Sequence, residues 1–214
     1  DQDQLLDESL PITWRHINKL AGCGALGDLG SHLLSISQFI MGDISKVNAV
    51  ATTVFPKRPK CAGSDELVDV ENEDIMTFTA EYANGAIGQI ACSRVATGRK
   101  NYLCYEIQGT KGSVRYDLER MGEVQVYFQS DNERDRGFRT VLLNPQMKGY
   151  SAFQPAGGIS IAYNDMKILE VHALFDAITN GADYTTDFEF GYKIDRTVAA
   201  VIESSKTREW VDVK

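Results

Sequence analysis

Between residues 44 and 143 the sequence offers seven strand-like segments in succession, with almost no helical pattern between them. They cover residues 44–55, 75–82, 86–95, 102–107, 113–118, 124–128 and 138–143. Each is short, rich in β-branched and aromatic residues, and bounded by turn residues. Asn84-Gly85 is a strong hairpin cue, and Gly109-Thr110-Lys111-Gly112 is another. Parallel strands need a crossover helix each, so this order excludes a doubly wound parallel sheet and predicts a mostly antiparallel meander.

Helical periodicity is confined to the two ends. Residues 24–42 carry Leu29, Leu33, Ile36 and Ile40 at helical spacing, and Gly42-Asp43 is a good stop. Near the tail, Ile168, His172, Phe175 and Ile178 repeat the 3.6-residue period as far as Gly181. Ile194, Val198, Val201 and Ile202 do so again, and Trp210, Val211 and Val213 read as a closing edge strand. Residues 56–73 and 144–160 are Pro-, Gly- and polar-rich and read as loops. The expected fold is therefore α+β: one domain over residues 1–214, a mostly antiparallel open β-sheet with helices packed on one face. In residues 75–82, Met76, Phe78, Ala80 and Tyr82 are the expected core, with Ile75, Thr77, Thr79 and Glu81 outside. In residues 124–129, Val124, Val126 and Phe128 face inward against Gln125, Tyr127 and Gln129. The mixed outer set is too apolar for a wet face, which predicts a homo-oligomer through the open sheet face, a two-fold dimer in the simplest case.

Composition narrows the function classes. Lys and Arg number 22 against 30 Asp and Glu, a net charge of −8, so nucleic acid is an unsuitable partner. No run of about 18 apolar residues is present to span a membrane, and the first residues lack the pattern of a signal peptide. The four cysteines, Cys23, Cys61, Cys92 and Cys104, form no Cys-x-x-Cys pair and read as free thiols of a cytoplasmic protein. Three histidines without a ligand spacing argue against a metal. His172, on the apolar stripe, is expected in the core, and His16 at the surface.

Gly22-Cys23-Gly24-Ala25-Leu26-Gly27 spells the dinucleotide-binding pattern G-x-G-x-x-G. The segment before it is polar and unlike a central strand, and no acidic residue follows at the ribose position. A tight glycine turn feeding a helix is the expected role, with no cofactor held here. On that helix Asp28 and His32 stand four apart, where a carboxylate can orient an imidazole for acid–base work.

The wider string resembles a known family. Trp14-Arg15, then Ala21-Gly22-x-Gly24-Ala25-Leu26-x-Asp28-Leu29-Gly30-Ser31-His32, is similar to the active-site helix of the Gfo/Idh/MocA family of sugar and inositol dehydrogenases. Ser93-Arg94-Val95-Ala96-Thr97-Gly98-Arg99-Lys100-Asn101, Glu106-Ile107-x-Gly109-x-Lys111-Gly112-Ser113, Tyr116-Asp117-Leu118-Glu119-Arg120 and Asp187-Phe188-Glu189-x-Gly191 extend the likeness along the chain. The resemblance implies the substrate-binding and oligomerisation half of an NAD- or NADP-dependent dehydrogenase, acting on a sugar, inositol or related polyol by hydride transfer. It implies that the Rossmann domain, with its glycine fingerprint and Glu-Lys-Pro lysine, lies outside this chain, so that the chain is a fragment, inactive alone. His32 would exchange a proton with the substrate hydroxyl, and Asp28 would orient His32 or bind an adjacent hydroxyl. Arg94, Lys100 and Asn101 either bind substrate or form a solvated strand end. Trp14 and Arg15 either line the pocket's edge or, for the Trp, pack under the first helix. A ligand-sensing regulator of the same architecture, a free-standing dimerisation module and an NAD-dependent glycosidase are the competing readings.

Overall fold

A computed structural model describes residues 3–147 and 149–214. In chain order it forms α1 (Asn18–Ala21), a π-helical turn (Leu26–Gly30) running into α2 (Ser31–Met41), then β1 (Ile44–Thr52), β2 (Lys57–Pro59), β3 (Leu67–Asp69), β4 (Ile75–Tyr82) and β5 (Ile87–Ser93). β6 (Cys104–Gly109), β7 (Gly112–Asp117), β8 (Glu123–Phe128), β9 (Arg139–Leu142), α3 (Tyr163–Asn180), α4 (Phe188–Thr207) and β10 (Val211–Asp212) follow. Every strand pairing is antiparallel, as the run of hairpin signals requires. The fold is α+β. The strands do not form one sheet, however: they divide into two of four strands, ordered β10-β1-β4-β5 and β6-β7-β8-β9, and a β2-β3 ribbon inside the segment expected to be loop. The chain packs as two compact units, residues 1–99 with 186–214, and residues 100–185.

The first unit holds the core. β4 turns Met76, Phe78, Ala80 and Tyr82 inward, as the alternation predicts. β1 would lose its alternation between Ile44 and Val47, but a bulge between Ile44 and Lys46 re-aims the strand and both side chains are buried. Against this face pack Leu26 and Leu34 from the first helical segment and Ile194, Ala200 and Val201 from α4. Burying a side chain of this size is worth about 1.5–3 kcal/mol, so this layer dominates the unit's stability. Two polar pins fix the helices. Gln38 donates to Thr197 Oγ1 at 3.1 Å and accepts from the Ile44 N–H, while Ser204 Oγ accepts from the Ala49 N–H at 2.9 Å. Buried polar groups need such partners, and each pair sets the height of a helix over the sheet.

The buried face of the first helix runs through Leu26, Gly30, Leu34 and Gln38 rather than through the expected stripe. Leu29 and Leu33 are half-buried at its margin, and Ile40 is exposed. The i→i+5 closure from Leu26 to Ser31 inserts a residue at the helix start, which keeps Leu26 and Gly30 on the face that Leu34 and Gln38 continue.

The second unit is thinly covered. Val124 and Val126 are only half-buried and Phe128 is exposed, so the expected core of β8 is not enclosed. α3 buries no side chain fully and leaves Ile168, Val171, Phe175 and Ile178 in the open. His172 is exposed with them, against the expectation of a core histidine, because the whole apolar stripe it sits on is left open to solvent. Gly181, at φ +67°, stops the helix where expected. Among the described residues no helix is long and apolar enough to cross a membrane.

Candidate active site

The glycine-rich turn and the helix it launches are held by the segment just before β4. Glu73 takes three successive amides there. The Gly24 N–H donates to Oε2 at 3.0 Å, the Leu26 N–H to Oε1 at 2.9 Å, and the Ala25 N–H to the main-chain carbonyl at 3.0 Å. A helix start leaves its first amides unpaired and carries partial positive charge, so a carboxylate there satisfies both demands. The glycines answer to this packing. A Cβ on Gly24 would sit 1.9 Å from the Glu73 carbonyl oxygen, and one on Gly30 would press on Leu26 and Cys92. Gly22 caps α1 at φ +77°, where L side chains rarely go. The G-x-G-x-x-G pattern is thus a close-approach device. Its amides already hold a carboxylate, so these residues do not fit a cofactor pyrophosphate.

Neighbouring residues of the same segment grip other parts of the unit. The Asn18 N–H donates to Glu71 Oε2 at 2.6 Å, and Asn72 Nδ2 donates to the Arg15 carbonyl at 2.8 Å. Asp74 accepts Arg94 Nε on Oδ1 at 2.9 Å and the Val54 N–H on Oδ2 at 2.7 Å. With side chains 1% and 6% exposed, Arg94 and Asp74 form a buried ion pair, and the Arg94 N–H closes back on the Asp74 carbonyl.

The residues singled out in the sequence fall as follows. Asp28 and His32 are both exposed on the helix anchored by Glu73. Among the described residues they make no hydrogen bond to each other: the π turn opens the step, so four residues fall short of a full turn. Arg94 is committed to Asp74 beneath the surface and presents no free fork to solvent. Trp14 is 53% exposed, so it does not pack under the helix; the Arg15 guanidinium lies 4.4 Å from its ring centroid instead. Lys100 and Asn101 are exposed in the second unit, where both main-chain N–H groups donate to Glu119 Oε1.

His16 departs from expectation most. It is 2% exposed, not at the surface, and its Nδ1 accepts from the Thr13 N–H at 3.0 Å. Burial lowers its pKa below the usual 6.5, and the Arg94 and Arg58 charges push the same way, partly offset by Asp74. The Cys92 thiol, under the same helix, is pushed up to about 12 by burial and the Glu73 charge. It is an inert core residue. The sequence reads residues 71–73 only as the end of a loop and gives residues 71–74 no role. Their run of three acids and an asparagine ahead of a strand was the available signal, since such groups seldom enter a core edge unpaired.

Residues 2–213 match the family model described as "Oxidoreductase family, C-terminal alpha/beta domain" of the Gfo/Idh/MocA group. Levoglucosan dehydrogenase of Pseudarthrobacter phenanthrenivorans is 38% identical over 99% of the chain, which spans 57% of that relative. An NAD binding oxidoreductase from Klebsiella pneumoniae superposes with a TM-score of 0.90 at 40% identity, covering 97% of this chain and 55% of that one. Levoglucosan dehydrogenase in complex with NADH and levoglucosan superposes with a TM-score of 0.90 at 37% identity, covering 99% and 56%. The chain spans little more than half the length of these relatives, and over that span it belongs to the Gfo/Idh/MocA oxidoreductase family, matching its C-terminal α/β domain.

Proposed function

We propose that this chain is the substrate-binding half of an NAD- or NADP-dependent dehydrogenase that acts on a sugar, an anhydrosugar or a related polyol. The observation that carries the reading is the 38% identity to levoglucosan dehydrogenase over 99% of the chain. The exposed Asp28–His32 pair on a helix with a rigidly held start supports it, because an acid–base group must be both reachable and fixed. His32 moves a proton at the substrate hydroxyl, and Asp28 binds an adjacent hydroxyl or turns the imidazole toward it. Arg15 and Trp14, in the same unit as that helix, are the further candidates for polyol contacts, each with polar or aromatic surface open to solvent. The carboxylate in the glycine turn supports a cofactor held by residues outside this chain, and a chain without catalytic activity on its own.

The second unit supports a homo-oligomer. It encloses almost nothing fully: among its described residues only Ile161 and Gln154 are buried. A unit with so little core gains most of its stability by covering its sheet with another copy. The sparse, unpaired cysteines support a reducing compartment, the cytoplasm.

The test is His32→Ala in the full-length enzyme. Turnover should drop about 10²–10⁴-fold, the usual worth of a positioned acid–base group, with Asp28→Asn lowering it as well. Near-normal turnover in both variants would return the pair to a structural role and remove the dehydrogenase assignment from this helix.

A further inference from the structure

We propose that Glu73 is the positioning residue of the Asp28–His32 helix: it sets the height and register at which that helix presents its acid–base pair. The proposal rests on the dehydrogenase reading above, and adds to it a residue that touches no substrate.

Three features carry it. The first is the number and direction of the contacts. Both carboxylate oxygens and the main-chain carbonyl of one residue take the amides of Gly24, Ala25 and Leu26, at 2.9–3.0 Å. Three bonds from one residue to three consecutive amides fix both translation along the helix axis and rotation about it. A lone capping serine or aspartate, with a single bond, fixes neither. The second is that Glu73 itself cannot drift. On one side Asn72 is buried and tied to the Arg15 carbonyl; on the other Asp74 is locked to Arg94, to the Val54 N–H and, through its own N–H, to the Thr52 carbonyl. The third is the helix above the anchor. It begins with a π turn, whose i→i+5 closure from Leu26 to Ser31 inserts a residue directly above the anchored amides, so the anchor lies where the register of the helix changes. Asp28 lies inside that turn and His32 immediately beyond it.

The consequence is geometric. A slip of one residue moves a helix about 1.5 Å along its axis. A misplacement of about 1 Å at a reacting group costs on the order of 10²-fold in rate. Glu73→Gln is the sharp perturbation. The side chain keeps its length, but one oxygen becomes an NH₂ that faces an amide N–H, so one of the two side-chain bonds turns repulsive and the charge at the helix start is lost.

The experiment is a kinetic cycle on the full-length enzyme with the substrate it turns over, comparing wild type, Glu73→Gln, His32→Ala and the double variant. Glu73→Gln should lower kcat by about 10–10²-fold with KM changed less than about threefold. In the His32→Ala background the same change should cost less than about twofold, because the group being positioned is gone. Gly24→Ala attacks the same contact from the other side, with its Cβ 1.9 Å from the Glu73 carbonyl oxygen, and should reproduce the kcat loss without adding to it. Thermal melts by circular dichroism run alongside. A turnover loss that only tracks the unfolded fraction overturns the proposal, as does full additivity with His32→Ala or a kcat within twofold of wild type. If His32→Ala itself keeps its turnover, the dehydrogenase reading of this helix falls and takes the positioning role with it. If His32→Ala is inactive and Glu73→Gln is normal, only the positioning role falls.

Discussion

Arg94 separates two accounts of this protein, since the sequence offers it as a substrate-gripping cation and the structure buries it. Arg94→Met keeps much of the side chain's length and apolar stem while removing the guanidinium. Asp74 then remains with one of its two side-chain bonds, that from the Val54 N–H, and an uncompensated charge at 6% side-chain exposure. Removing one partner of a buried pair costs about 3–5 kcal/mol. For a chain of this size each kcal/mol is about 2–4 °C, so the melting temperature should fall by about 6–20 °C. Removing the second charge as well, in Arg94→Met with Asp74→Leu, relieves the stranded carboxylate. It leaves the Val54 N–H without its acceptor, at about 1–3 kcal/mol. The double variant should therefore be more stable than Arg94→Met alone. Melts followed by circular dichroism, with KM measured in parallel, decide the matter. A raised KM with an unchanged melting temperature would show that the guanidinium serves the ligand and that the burial argument is wrong.

Two further outcomes follow from the same structure. Phe128→Lys, at an exposed apolar position on β8 of the second unit, should split the proposed homo-oligomer while leaving circular dichroism unchanged, because a charge set into a sheet-to-sheet contact is desolvated without a partner. Light scattering at micromolar concentration reads it, and a wild-type mass of a single 23.7 kDa chain would refute the interface outright. Stability should also fall as pH drops below about 6.5. The unfolded chain takes up a proton on His16 there, while the folded chain, with His16 buried and facing Arg94 and Arg58, does not. His16→Gln should flatten the melting temperature between about pH 6.5 and 5, and an unchanged slope would place the pH sensitivity elsewhere.

The contrast between what was legible and what was not has a physical pattern. Local signals came through at β4, at the helix stops and at the tail, but not in the first helix, whose buried face is not the expected stripe. The alternation of Met76, Phe78, Ala80 and Tyr82 is buried as read, Gly42 and Gly181 end their helices, and the stretch around Val211 pairs with β1. Division of the strands between two sheets was not legible, because a period of two states which face is apolar and says nothing of which strands share a sheet. Periodicity likewise misled at Phe128 and His172, whose apolar stripes are left exposed or half-buried among the described residues. At the proposed site, Asp28 and His32 stood out through the wider string that resembles the family, since an i, i+4 Asp–His pair by itself is ordinary on a helix surface. Their support did not. His16, Asn72, Glu73 and Asp74 are polar residues whose composition says surface, and only the folded chain reveals that each has a partner distant in sequence or a buried neighbour. A polar side chain's burial depends on whether its hydrogen bonds can be met inside, a property of the assembled neighbours and not of the residue. Function in this helix therefore divides unevenly between sequence and fold. The proposed proton-moving groups are read from a motif, while the contacts of Glu73 with the glycine turn become visible only in the folded chain.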